Sequence, residues 1–101
     1  MNAVAKSYVV MFTPSFAERQ QVQDFLDTVP EVTYWYACLP YCVFFTARLD
    51  AEELAKRFMA KFGTARGSFI VMEANANRQG WMPYAAWHLL GNPEAPRVPK
   101  A

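Results

Sequence analysis

Apolar and polar positions alternate along the chain in a pattern that is laid down twice. Ser7–Thr13 is a near-continuous apolar run of strand length, rich in β-branched and aromatic residues. Pro14 ends it. Between Ser15 and Val29 the apolar positions Val22, Phe25, Leu26 and Val29 recur at i, i+3, i+4 and i+7, which predicts one buried helical stripe. Arg19, Gln20, Gln23, Asp24 and Asp27 then fall on the wet side, and Ser15 with Glu18 three residues on has capping-box spacing. Pro30 stops this helix, and Val32–Cys38 resumes strand chemistry.

The second copy begins at Tyr41–Ala47, after a tight connection at Leu39-Pro40. Asp50 is the expected N-cap of a helix over Asp50–Phe62, with Glu53 at box spacing and Leu54, Phe58, Met59 and Phe62 as its buried stripe. Gly63 is its stop signal, and Ser68–Ala74 is the fourth strand. After polar Asn75–Gly80, the stretch Trp81–Leu90 predicts a short terminal helix with Pro83 in its first turn. Glu94–Ala101 holds two prolines and few apolar anchors and reads as a tail.

A βαββαβ order of this length predicts an α+β domain of ferredoxin-like, split βαβ type. Its expected form is an antiparallel sheet of order 4-1-3-2, two helices on one face and a short C-terminal helix. The near-continuous apolar character of Ser7–Thr13 and Tyr41–Ala47 places these two strands in the middle. The expected division is a single domain over 1–92 and a flexible tail over 93–101.

Composition sharpens the expectation about partners. The chain has 101 residues, 53% of them hydrophobic and 16% aromatic, which is generous for a small monomer. Two helices should not cover Tyr34, Trp35, Tyr36, Phe44, Phe45 and Trp81 together, so a two-fold homodimer is expected. A core rich in Phe and Trp is the competing explanation. Ten basic and nine acidic residues give a net charge of +1, which leaves no global nucleic-acid or membrane footprint. No apolar run reaches the ~18 residues of a spanning helix. Met1–Lys6 lacks an apolar signal core, so the expected location is the cytoplasm, with Cys38 and Cys42 as free thiols facing different directions near the hairpin tip.

Candidate chemistry is sparse. Cys38 and Cys42 have only distant His88 as a further soft ligand, so no metal site and no cofactor is expected. His88 lacks a sequence-adjacent nucleophile, although Glu73 at the end of the fourth strand could orient it. Trp81, Tyr84, Trp87 and His88 are the candidate lining of a ligand pocket under the terminal helix. Arg57, Lys61 and Arg66 are the candidate phosphate contacts, sufficient only for weak nucleic-acid binding. The sheet face away from the long helices carries aromatics, but Tyr41–Phe45 lacks the basic and small residues of an RNA-recognition signature.

The second half, with an aromatic strand ending in Thr46, then "DAEELAKRF", "FIVME" and "NRQGWMPYAAWHLL", resembles a known group. These are the small ferredoxin-like proteins allied to the CRISPR adaptation nuclease-like subunit and the SinR-like proteins of bacterial genomes. The resemblance spans roughly residues 41–90, and its least generic piece is Gly80-Trp81-Met82-Pro83 followed by Trp87. It implies a homodimer whose C-terminal segments help to build the interface. Nuclease-like members carry an acidic metal ligand at the end of the first strand, where this chain has Phe12-Thr13-Pro14 and no carboxylate before Glu18. No catalytic residue therefore carries over. The functional expectation is a non-catalytic homodimeric module making protein or weak nucleic-acid contacts. The alternative is a small enzyme or ligand-binding protein using the pocket by the terminal helix.

Overall fold

The computed structural model describes residues 4–99. Met1–Ala3 of the expected start and the last two residues of the expected tail lie outside the described residues. The chain runs β1 (Lys6–Phe12), α1 (Arg19–Thr28), β2 (Val32–Leu39), β3 (Cys42–Ala47), α2 (Ala51–Phe62), β4 (Phe69–Glu73) and α3 (Tyr84–Gly91). The fold is α+β. Its four strands form one antiparallel sheet of order β2-β3-β1-β4, so the two most apolar strands are the central ones. β3 is buried at every position, as a strand covered on both faces must be.

Alternation along the strands sorts the side chains onto two faces. Tyr8, Val10 and Phe12 of β1 and Val43, Phe45 and Ala47 of β3 point toward α1 and α2. Val22 and Leu26 of α1, and Leu54 and Phe58 of α2, close that layer. Its far end is aromatic: Phe16 lies 5.1 Å from Phe62 and 4.9 Å from Phe69, centroid to centroid. The opposite face carries Val9, Cys42, Phe44, Tyr34 and Tyr36, and here α3 covers the sheet with Ala86, Leu89 and Leu90. The surplus aromatic surface read from the sequence is thus partly absorbed by a third helix. Phe44 is buried beneath it and unavailable as a stacking platform.

Several local expectations are corrected. α1 starts at Arg19, and Glu18 rather than Ser15 sits at its N-cap, in a reciprocal capping box with Gln21. Ser15 instead meets the hydroxyl of Thr13 at 3.2 Å, because Phe16 and Ala17 turn inward to the core and cannot join a regular helix. Gln23 is buried, whereas Met59 is exposed. α2 has the expected cap: Asp50 Oδ1 accepts from the Glu53 amide at 2.8 Å, and Gly63 closes the helix at φ +78°. Cys38 and Cys42 do not face apart. Alternation along β2 puts Cys38 on the same face as Tyr34 and Tyr36, where it joins Cys42 and Phe44 in the α3-side cluster.

Candidate functional site

α3 and the segment leading to it form the part of the molecule with the most unassigned chemistry. Ala86, Leu89 and Leu90 recur at i, i+3 and i+4 and are all buried against the sheet. Pro83 occupies the N-cap position, so Trp81 and Met82 precede the helix. At the other end the Ser7 hydroxyl donates to the Leu90 carbonyl at 2.9 Å, joining α3 to the central strand β1. Glu94, just beyond the helix, accepts from the Ala5 amide at 2.8 Å and pairs with Arg48 at 2.6 Å. The segment after α3 is held to the domain at these points.

The four pocket candidates are distributed over different surroundings. Trp87 is half-buried within the α3-side cluster, and the backbone at Gly80 lies along its ring. Trp81 is fully exposed and Tyr84 largely so. Tyr84 and His88 are one turn apart with ring centroids at 6.0 Å. His88 Nε2 donates to the Ala95 carbonyl at 3.1 Å, and the His88 carbonyl accepts from Asn92 Nδ2 at 2.8 Å. Glu73 pairs with Lys6 at 3.8 Å. Beside Trp87, a shallow depression of ≈ 380 Å³ is walled by Ala76, Arg78, Gln79 and Gly80. Arg78 donates through Nη1 to the Asn75 carbonyl, while its Nε is buried without a partner. Nothing in the sequence singled out Arg78, because its role depends on how the 75–80 loop folds back toward the helix.

A second depression, of ≈ 390 Å³, lies where α1 meets the outer edge of β2. There Trp35 Nε1 donates to Asp27 Oδ1 at 2.7 Å, and the Arg97 guanidinium stands 4.7 Å from the centre of the Tyr34 ring. Arg97 therefore covers part of this edge.

The basic candidates are differently engaged. Arg57 is bound by Glu31 through both terminal nitrogens, at 3.2 and 3.1 Å, and by Glu53 through Nε at 3.2 Å. These bonds hold the Glu31 carboxyl below its usual range and push the Arg57 guanidinium further up. Lys61 lies in the last turn of α2, at the rim of a depression shared with Asp24, and Arg66 lies in the loop beyond Gly63. Among the described residues no group of three or more His, Cys, Asp or Glu could hold a metal ion. No described helix is long and apolar enough to cross a membrane.

Uncovered apolar surface completes the site. On the α3 side of the sheet, Met11 of β1 and Ile70 and Met72 of β4 are 40%, 50% and 39% exposed. Met11 is opposite Ile70 and Val9 opposite Met72 in the β1–β4 register, so these side chains form one band. Comparison with known proteins gives no match to any protein-family model, curated protein or solved structure.

Proposed function

We propose that this protein is a homodimeric interaction module of the cytoplasm, with a ferredoxin-like split βαβ fold, that works through surface contacts rather than catalysis. The sheet order and the placement of α1 and α2 on one face support the fold reading. The observation that carries the functional reading is the uncovered apolar band of Met11, Ile70 and Met72, with Trp81 and Tyr84 exposed on the α3 segment. A contiguous apolar surface of this kind on a small domain is the mark of a protein interface. The likeness of residues 41–90 to the SinR-like and CRISPR adaptation nuclease-like proteins agrees with a dimer built partly by C-terminal segments. Weak nucleic-acid contact would draw on Lys61 and Arg66, since Arg57 is committed to Glu31 and Glu53.

Light scattering coupled to size-exclusion chromatography tests the reading. At concentrations on the order of tens of micromolar, typical of transient to stable association, the expected mass is twice the 11.5 kDa of one chain. A mass of one chain across that range overturns it.

A further inference from the structure

The two edges of the sheet are treated differently. β2 is irregular, with register shifts at Val32/Tyr34 and Tyr36/Leu39, and Arg97 stands over Tyr34. Bulges and a flanking charge are the usual means of making an edge unfit for pairing. β4 has neither device. Its register with β1 is unbroken from Tyr8–Glu73 to Phe12–Phe69, and its residues Phe69-Ile70-Val71-Met72-Glu73 carry one charge, at the end.

Bond polarity along β4 can be read from its flanks. The Thr13 amide donates to the Ser68 carbonyl at 3.0 Å, and the Ala74 amide donates to the Ser7 carbonyl at 2.8 Å. Backbone groups alternate in direction along an antiparallel strand, so Ile70 and Met72 bond to β1 as Ser68 and Ala74 do. The amides and carbonyls of Phe69, Val71 and Glu73 therefore point to the outer edge, where no further strand stands among the described residues. An edge so regular and so apolar is a template for another strand.

We propose that this edge is occupied by a second copy of the chain, with β4 antiparallel to its counterpart and the two-fold axis at Val71, giving a continuous eight-stranded sheet. The proposal rests on the homodimer reading above and specifies its geometry. Only a centre at Val71 lets all three outward-facing residues pair: Val71 with its own copy, and Phe69 with Glu73 in both directions. In that register Ile70 of each copy faces Met72 of the other on the α3 side of the sheet. The band containing Met11 thus becomes continuous across the axis, and the exposed apolar side chains cover one another. Self-complementarity is what a two-fold contact demands.

Two measurements on the full chain test the pairing. The first is amide exchange across a dilution series, read residue by residue. Phe69, Val71 and Glu73 should exchange about tenfold or more slowly in concentrated than in dilute protein. Ile70 and Met72, already bonded to β1, should change less. The second is Val71→Cys in a Cys38→Ser, Cys42→Ala background. A hydrogen-bonded antiparallel pair sets Cα atoms ~5.5 Å apart, within disulfide reach. Mild oxidation should therefore link most of the protein, while a cysteine placed at exposed Glu52 of α2 should remain unlinked. A dimer by light scattering with unprotected Phe69, Val71 and Glu73 amides overturns the edge pairing and leaves the homodimer standing. A monomer overturns both, and makes an extended segment of another protein the remaining occupant of the edge.

Discussion

The hydroxyl of Ser7 on β1 lies 2.9 Å from the carbonyl of Leu90, tying the last turn of α3 to the central strand of the sheet. A helix leaves its final carbonyls without partners, and burial makes such orphans costly. Leu89 and Leu90 are buried here, and the Leu89 carbonyl lies 3.2 Å from the same hydroxyl. Ser7→Ala should cost about 1–2 kcal/mol, because it strands an acceptor in a dry site. Urea unfolding of the two proteins side by side measures the difference; equal midpoints would mean that α3 is held by its apolar contacts alone.

Gly67 and Gly63 both have positive φ, at +63° and +78°, but in different surroundings. A Cβ on Gly67 would meet Thr13 Oγ1 at 2.4 Å and the Phe16 amide nitrogen at 2.5 Å, whereas one on Gly63 would meet open space. The Gly67 loop lies against the turn after β1, and the Ser68 amide donates to Thr13 Oγ1 at 3.0 Å in the same contact. Gly63→Ala should cost only backbone strain, about 1–3 kcal/mol, because φ +78° with ψ −175° is a region essentially reserved for glycine. Gly67→Ala should cost about 3 kcal/mol or more, since backbone must move as well. Thermal or chemical unfolding ranks the two, and a Gly67 variant as stable as the Gly63 variant would contradict this packing.

The strands and the second long helix were legible in the sequence because their signals are local. Continuous apolar runs named β1 and β3, and Asp50 with Gly63 bounded α2 closely. The start of α1 was misread at Ser15 on the spacing to Glu18, whereas the structure sets the box at Glu18–Gln21. Burial of Phe16 and Ala17 decides between them, and that is a tertiary fact. The terminal helix itself was legible from Pro83 in its first turn, but not which surface it would cover. The meeting of Cys38 and Cys42 likewise depends on the pairing of β2 with β3, which sets Tyr36 opposite Phe44. At the candidate site, the exposure of Trp81 and the unpartnered Nε of Arg78 depend on the path of the 75–83 connection, and neither has a compositional signature.

Both cysteines are free, and burial pushes the thiol of Cys42 up to about 11 and that of Cys38 upward as well. Only the thiolate attacks a disulfide reagent. At pH 8 the native Cys42 should therefore react about a hundredfold more slowly than an unfolded thiol, before steric shielding is counted. Cys38, half-buried, should be labelled first. Ellman's reagent, followed by mass spectrometry of the peptides, distinguishes the two sites in native and denatured protein. Rapid native labelling of Cys42 would show that the α3-side cluster opens readily.

Two carboxylates link acidity to stability. Hydrogen bonds from Arg57 hold Glu31 low, and hydrogen bonds from Arg48 and the Ala5 amide hold Glu94 low. In the unfolded chain both return to the ordinary glutamate value of 4.5. The unfolded state therefore takes up protons first as pH falls, and stability falls with it. The contribution of these groups should be fully present above about pH 5. It should decline as pH drops through 4.5 and disappear once both folded carboxyls are protonated. Both pairs are accessible to solvent, which keeps the effect modest and sensitive to salt. Glu94→Gln should flatten part of this slope while leaving the Glu31 part in place. Denaturant midpoints recorded from pH 7 to pH 3, at low and high salt, measure both slopes. A wild-type chain that gains stability between pH 5 and pH 3 would contradict the assignment.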